Sequence, residues 1–277
     1  MNFKIVTDSS ANILELQGVP FESVPLKIIT SNKEYTDNTF LDVLGMVNDL
    51  NTYKGRSSTS CPNAEEWLAS FGDAENVFCV TITGTLSGSY NAAITAKQLY
   101  EEAHPDRKVF VFNSLSTGPE MVLLIEKICE MALLDHTFEE ICDELEAYAH
   151  KTGLLFMLES MKNLANNGRV SPLVAKMAGL LGIRVVGKAS DVGDLQPLCK
   201  PRGEKNALAE IVDQLKSLGV TGGKLLIAHC FNEQAAHTLK DLLENAFEKI
   251  QVRIHACRGL CSFYAEKGGL LIGFERT

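Results

Sequence analysis

Three stretches of this chain gather hydroxyl and amide side chains just where a helix is expected to begin. The densest is Thr81-Ile82-Thr83-Gly84-Thr85-Leu86-Ser87-Gly88-Ser89-Tyr90, which follows the apolar run Asn76 to Val80 and precedes a helical pattern, Asn91 to Ala103. A strand, a hydroxyl-rich turn and a helix in that order present a helix N-terminus, whose N–H groups and positive dipole end favour an oxyanion. Ser87 and Gly88 offer a hydroxyl and a backbone N–H, with Thr83 on the same turn. The plainer reading is that these residues only cap the helix. A second stretch, Arg56-Ser57-Ser58-Thr59-Ser60-Cys61-Pro62, sets Thr59 and Ser60 in a turn before Pro62, which suits the first position of a helix. A third, Asn113-Ser114-Leu115-Ser116-Thr117-Gly118-Pro119, ends the apolar run Lys108 to Phe112. The coincidence of three such turns favours a binding site over three unrelated caps.

Ser87 could also serve as a nucleophile in an acyl hydrolase or acyltransferase. The hydrolase elbow needs G-x-S-x-G, and in Gly84-Thr85-Leu86-Ser87-Gly88 the serine stands one place late. Neither G-x-x-x-x-G-K-[ST] nor G-x-G-x-x-G occurs, so no nucleotide fingerprint is present. Arg169 follows Gly168 in a turn, where its planar fork can be aimed at an anion; the alternative is a surface arginine. His255 ends a predicted strand, where it can hold a carboxylate or simply be a satisfied core histidine. A metal at His255-Ala256-Cys257-Arg258-Gly259-Leu260-Cys261 would want a fourth ligand that the neighbouring sequence does not offer.

The chain has 277 residues, a formal net charge of −9 and a mean hydropathy near zero. That charge argues against nucleic acid or an anionic membrane as a partner. No apolar run reaches the length of a membrane span, because Gly118 to Leu134 is interrupted by Glu120, Glu126, Lys127 and Glu130. The N-terminus does not read as a signal peptide, so the eight cysteines are expected as reduced thiols in the cytoplasm.

These turns need elements to hold them. Phe3 to Thr7 reads as a strand whose polar turn, Asp8-Ser9-Ser10, caps a helix from Asn12 to Gln17. Phe21 to Ile29 reads as one strand with a return over Lys33 to Tyr35, and Asp37-Asn38 as the cap of a helix from Phe40 to Leu50. Further helices are expected at Met121 to Leu134 and Thr137 to Lys151. Strands alternating with helices imply a mainly parallel sheet covered on both faces, with ligands at the carboxyl ends of its strands. Beyond Gly153 the pattern changes. Strand Leu154 to Leu158, helices Ser160 to Ala165 and Leu173 to Leu181, and a hairpin turning at Ala189 to Asp194 read as α+β. Helices Asn206 to Leu218 and Glu233 to Phe247 alternate with strands Leu225 to Ala228 and Ile250 to Ala256, and Leu270 to Phe274 closes the chain. The expected architecture is a mainly parallel α/β domain, residues 1–154, packed on a smaller α+β domain, residues 155–277.

Taken in order, five motifs resemble those of the DegV family of bacterial fatty-acid-binding proteins, nearly end to end. Thr7-Asp8-Ser9-Ser10 matches the family's T-D-S, and Thr59-Ser60-Cys61-Pro62 its T-S-x-P turn. Thr83 to Tyr90 is similar to S-S-x-L-S-G-T-Y, and Leu164-Ala165-Asn166-Asn167-Gly168-Arg169-Val170 to L-x-x-G-G-R-I. His255-Ala256-Cys257-Arg258-Gly259 keeps the histidine and the last glycine of H-x-G-P-G. The chain departs from the family in the middle of that last motif and at Gly84, where the family has serine. The stretch from Pro62 to Val77 is also shorter than the family's. The resemblance implies a protein without chemistry of its own or a cofactor, holding one long-chain fatty acid between two domains. It further implies that the carboxylate is presented to a separate fatty acid kinase that makes the acyl phosphate. It assigns the carboxylate to Thr59 and Ser87, with Arg169 and His255 nearby. On that reading Ser60, Thr83 and Gly88 support the turns. Met177 to Leu181 and Leu154 to Leu158 are the pieces offered to the tail. Burying about 15 methylenes at about 0.8 kcal/mol each makes the tail dominate affinity, while the head contacts set orientation.

Overall fold

The computed structural model describes residues 2–176 and 182–276. In chain order the strands are β1 Phe3–Asp8, β2 Phe21–Val24, β3 Lys27–Ile29, β4 Glu34–Thr36, β5 Ser58–Ser60, β6 Asn76–Thr81, β7 Lys108–Asn113, β8 Thr152–Leu158, β9 Val185–Ala189, β10 Leu195–Cys199, β11 Gly222–His229, β12 Lys249–Ala256 and β13 Leu270–Glu275. The helices are α1 Val43–Thr52, α2 Ala64–Phe71, α3 Ser89–Ala103, α4 Pro119–Leu133, α5 Phe138–Ala149, α6 Lys162–Asn166, α7 Pro172–Ala175, α8 Glu204–Ser217, α9 Glu233–Ala246 and α10 Gly259–Ala265.

The first sheet has the order β2-β1-β6-β7 and is parallel throughout. Its two central strands, β1 and β6, are short apolar runs buried on both faces, as parallel sheets require, while the edge strands β2 and β7 are only partly buried. Val6, Val77 and Cys79 pack with Trp67 and Phe71 of α2 and Ala93 and Ala96 of α3. Ile5, Phe78 and Val80 pack with α4 and α5 through Met121, Leu124, Ile128, Ile141 and Leu145. The second sheet is mixed, in the order β10-β9-β8-β13-β11-β12. Along β8 the side chains alternate. Leu155 and Met157 join the core under α8 and α9, while Leu154, Phe156 and Leu158 face the other way with Leu271.

Helix α4 explains its own sequence. Residues Pro119 to Ile125 are buried without a break, because α4 packs on the first sheet and also on β13, β11 and β8 of the second. Gly273 on β13 is needed there, since a Cβ would lie 2.5 Å from the Glu120 nitrogen. The buried Glu120 carboxylate accepts from Thr152 Oγ1 at 2.8 Å, and burial pushes its pKa up. The most apolar helix is thus the one between the two sheets.

Several local expectations are corrected. Asn12 to Gln17 is not a helix: Ser9–Ala11 forms one 3-10 turn, and Asn12 at φ 65° closes it by donating to the Ser9 carbonyl. Phe21 to Ile29 is two strands in two sheets. Pro25 has no N–H to continue a ladder, so β2 pairs with β1 while β3 pairs with β4 and β5. Helix α1 is capped by Asp42, not by Asp37-Asn38. Ser58 to Ser60, expected as a turn, is a strand on β3, with Thr59 opposite Ile28. Pro62 lies outside α2, which Asn63 opens with a reciprocal capping box to Glu66. Helix α10 was not anticipated. Of the helix expected over Leu173 to Leu181, α7 covers the first part, and Met177 to Leu181 lies outside the described residues.

Candidate functional site

The carboxyl ends of β1 and β6 and the start of α3 are tied together by one buried group. Asp8 is fully buried, and its carboxylate accepts from the Ser10 N–H (3.2 Å) and hydroxyl, the Ile82 N–H (2.9 Å) and the Ser89 hydroxyl (2.7 Å). Burial raises its pKa while those hydrogen bonds lower it. The first residue of α3 is thereby held against the end of β1. The next turn supports this one. Asn113 Oδ1 accepts from the Gly84 N–H at 3.0 Å, and the Thr83 N–H donates to the Ser116 carbonyl at 2.9 Å.

These turns open onto a cavity of about 320 Å³ between the two sheets, within the range of small-molecule sites. Its walls are mainly apolar and include Leu26, Ile82, Leu154, Phe156, Leu158, Leu195, Leu260 and Leu271. Six of the seven expected site residues line it: Thr59, Ser60, Thr83, Ser87, Gly88 and Arg169. Ser87 Oγ accepts from the Ser89 N–H at 3.3 Å, and Gly88 caps α3 with no side chain of its own. A Cβ on Gly88 would lie 3.1 Å from Cys61 Sγ, so the second hydroxyl turn meets the first here. Burial raises the pKa of the Cys61 thiol.

Arg169 comes from the other side. Helix α6 ends at Asn166, Gly168 takes the left-handed φ of 73°, and the Gly168 and Arg169 N–H groups return to the Ala165 and Leu164 carbonyls. That is a glycine-closed helix end. It directs the guanidinium to the Leu86 carbonyl (Nε, 3.2 Å) and the Asn167 carbonyl (Nη1, 2.6 Å). Arg169 is the only cation among the described lining residues, and Asp194 the only anion.

His255 is placed elsewhere. It lies on the edge strand β12 opposite Ala228 and does not line the cavity. Burial, and after it the Arg253 charge, lowers its pKa. The chain after it runs past Asn12 and Asp37 before α10 brings it back to the cavity wall: the Arg258 N–H donates to Asn12 Oδ1 at 2.9 Å, and Asp37 accepts from the Gly259 and Leu260 N–H groups at 3.0 and 2.8 Å. No histidine lines the cavity among the described residues, so Ser87 has no imidazole base beside it. No group of three His, Cys, Asp or Glu side chains among the described residues could hold a metal ion.

Two contributors were not found by reading the sequence. Tyr264 of α10 lines the cavity, and its hydroxyl is 2.7 Å from Thr59 Oγ1. The tip of the β9–β10 hairpin reaches across to the first sheet, where Thr85 Oγ1 donates to the Val192 carbonyl at 2.6 Å. Gly193, at φ 82°, has room only for hydrogen, because a Cβ would lie 2.1 Å from Thr83 Oγ1. Gly193→Ala is expected to cost about 1–3 kcal/mol of stability and to lift the hairpin tip from Thr85. Chemical denaturation with hydrogen exchange at residues 190–195 reads both. Unchanged exchange at the tip would show that the contact is not restrictive.

The description "Uncharacterised protein, DegV family" matches residues 2–276. The chain belongs to the DegV family. A DegV domain-containing protein of Streptococcus pneumoniae is 41% identical over 279 residues, with 99% of each chain covered. Among solved structures, a DegV family protein from Eubacterium eligens loaded with heptadecanoic acid superposes with a TM-score of 0.97. It is 43% identical, over 99% of this DegV chain and 100% of that one. The Streptococcus pneumoniae Fatty Acid Kinase B3 protein loaded with linoleic acid gives a TM-score of 0.98 at 40% identity, with both chains covered entirely. Within this DegV fold, no helix of the described residues is long and apolar enough to cross a membrane.

Proposed function

We propose that this protein binds one long-chain fatty acid in the cavity between the two sheets and presents its carboxylate to a separate fatty acid kinase. The observation that carries this is the make-up of the cavity. Apolar walls from β8 and β13 enclose a space lined also by Thr59, Ser87 and Arg169, the one cation among the described lining residues. Such a space suits an alkyl chain ending in an anion. Relatives that share this fold at 40–43% identity were solved with heptadecanoic and linoleic acid in place. The carboxylate accepts from Thr59, Ser87 and the N-terminus of α3 near Arg169, and the chain follows Leu154, Phe156, Leu158 and Leu271. Residues 1–154 supply the hydroxyl turns, and residues 155–277 supply Arg169 and most of the tail wall. The protein is the binding partner and the kinase the catalyst; its free thiols suit the reducing cytoplasm.

The test is direct. Protein purified under native conditions should release a fatty acid on denaturation, seen by mass spectrometry. Ser87→Ala should weaken its rebinding about tenfold, the worth of one charge-assisted hydrogen bond of about 1.5 kcal/mol. A protein that carries no fatty acid and binds none when it is supplied would end this reading. Turnover of an acyl ester lost in Ser87→Ala would support the hydrolase instead.

A further inference from the structure

We infer that Tyr264 is a fourth head-group residue, one that works by holding the Thr59 hydroxyl in register for the carboxylate. The inference rests on the fatty-acid reading above and deepens it. Tyr264 Oη and Thr59 Oγ1 are 2.7 Å apart, and both residues line the cavity. The Arg169 guanidinium lies 5.9 Å from the Tyr264 ring centre, within reach of a cation–π attraction. Three residues from three distant segments therefore meet around one phenol.

Both partners are anchored to the same small sheet. Thr59 pairs with Ile28 of β3. Phe263, next to Tyr264, is fully buried with Ile28, Tyr35, Met46 and Val47, and its ring meets that of Tyr264 edge-on at 4.8 Å. Helix α10 is fixed at its start by Asp37 and at Phe263 by Asn163 Nδ2, which donates to the Phe263 carbonyl at 2.8 Å. The two hydroxyls are thus held at hydrogen-bond distance by the packing beneath them.

A pair of bonded hydroxyls has two protons. One lies between the oxygens and the other is free to point outward. When Tyr264 donates to Thr59, the Thr59 proton is released toward an acceptor in the cavity, and an acceptor-only carboxylate is the group that gains most from it. Hydroxyls linked this way polarise one another, so the outward bond is strengthened. Thr59 alone could also turn its proton toward a protein carbonyl. With Tyr264 donating, one Thr59 lone pair is engaged and fewer settings are left to its proton, which makes Tyr264 a positioning residue for the anion.

The test uses the full chain, stripped of lipid, with two probes of equal tail: octadecenoic acid and the matching octadecenol. Tyr264→Phe removes one oxygen and keeps the ring. It is expected to weaken the acid about tenfold and leave the alcohol unchanged, whereas a purely structural role would weaken both alike. Thr59→Val breaks the same bond from the other side, so the double variant Thr59→Val/Tyr264→Phe should lose less than the product of the single losses. An acid-to-alcohol preference in Tyr264→Phe equal to wild type would overturn the proposal, as would single losses that multiply in full. Wild-type protein that binds neither probe would instead overturn the fatty-acid reading itself.

Discussion

Asp8→Ala is expected to lower stability by about 2–4 kcal/mol, the cost of leaving buried N–H donors without their acceptor. The Ser10 and Ile82 N–H groups and the Ser89 hydroxyl all converge on that carboxylate. A small buried side chain such as alanine leaves the two N–H groups without a partner. Domains are commonly stable by only 5–15 kcal/mol, so the loss is a large share of the total. Urea titration measures it, and a change under 1 kcal/mol would show that water replaces the carboxylate.

The same residue carries a pH signature. Burial, the largest influence, raises the Asp8 pKa above its ordinary 3.8. Folded protein then binds this proton more tightly than unfolded protein does. The contribution of Asp8 to stability is therefore greatest below pH 3.8 and declines as pH rises toward the folded value. Asp8→Asn, which cannot titrate, should show its greatest deficit relative to wild type at the acid end, narrowing as pH rises through that window. A deficit that widens with pH would mean that the folded pKa is depressed.

Arg169→Ala is expected to weaken fatty acid binding about 30- to 150-fold, corresponding to about 2–3 kcal/mol for a charge-assisted contact. No other lining cation among the described residues can take its place. Arg169→Lys should recover only part of the loss. The guanidinium already spends Nε on the Leu86 carbonyl and Nη1 on the Asn167 carbonyl, and an ammonium cannot keep that geometry and still face the ligand. Competition binding with a fluorescent fatty acid measures both variants. Full affinity in Arg169→Ala would place the carboxylate away from this residue.

Strands β1, β6 and β7 of the parallel sheet were legible because each is an apolar run ending in a polar turn, a pattern set by local sequence; β2 was not, since Phe21 to Ile29 reads as one hairpin strand. Ser87 and Arg169 stand in turns whose composition marks them out, whereas Thr59, in a stretch read as a turn, is on strand β5; all three line the cavity. What could not be read came from distant pairings. Asp37 was expected to cap α1, yet it receives Gly259 and Leu260 from more than 200 residues away. Pro25 could be seen, but that it moves the chain from one sheet to another depends on the partner strands. Tyr264 sits in a short apolar stretch like many core segments, and only its meeting with Thr59 gives it a role. His255 shows the converse. Its type suits a carboxylate, but β12 is an edge strand and the chain beyond it leads toward Asn12 and Asp37.

The bond between Thr59 and Tyr264 spans 205 positions of the chain, and the contact from Arg258 to Asn12 spans 246. Contacts of such range are slow to form, because the loop between them must close first. The cavity wall formed by Thr59 and Tyr264 is therefore complete only once α10 has docked. Lipid capture must follow the completed fold and cannot template it. Refolding rates should then be indifferent to added fatty acid, while the unfolding rate falls once the acid is bound.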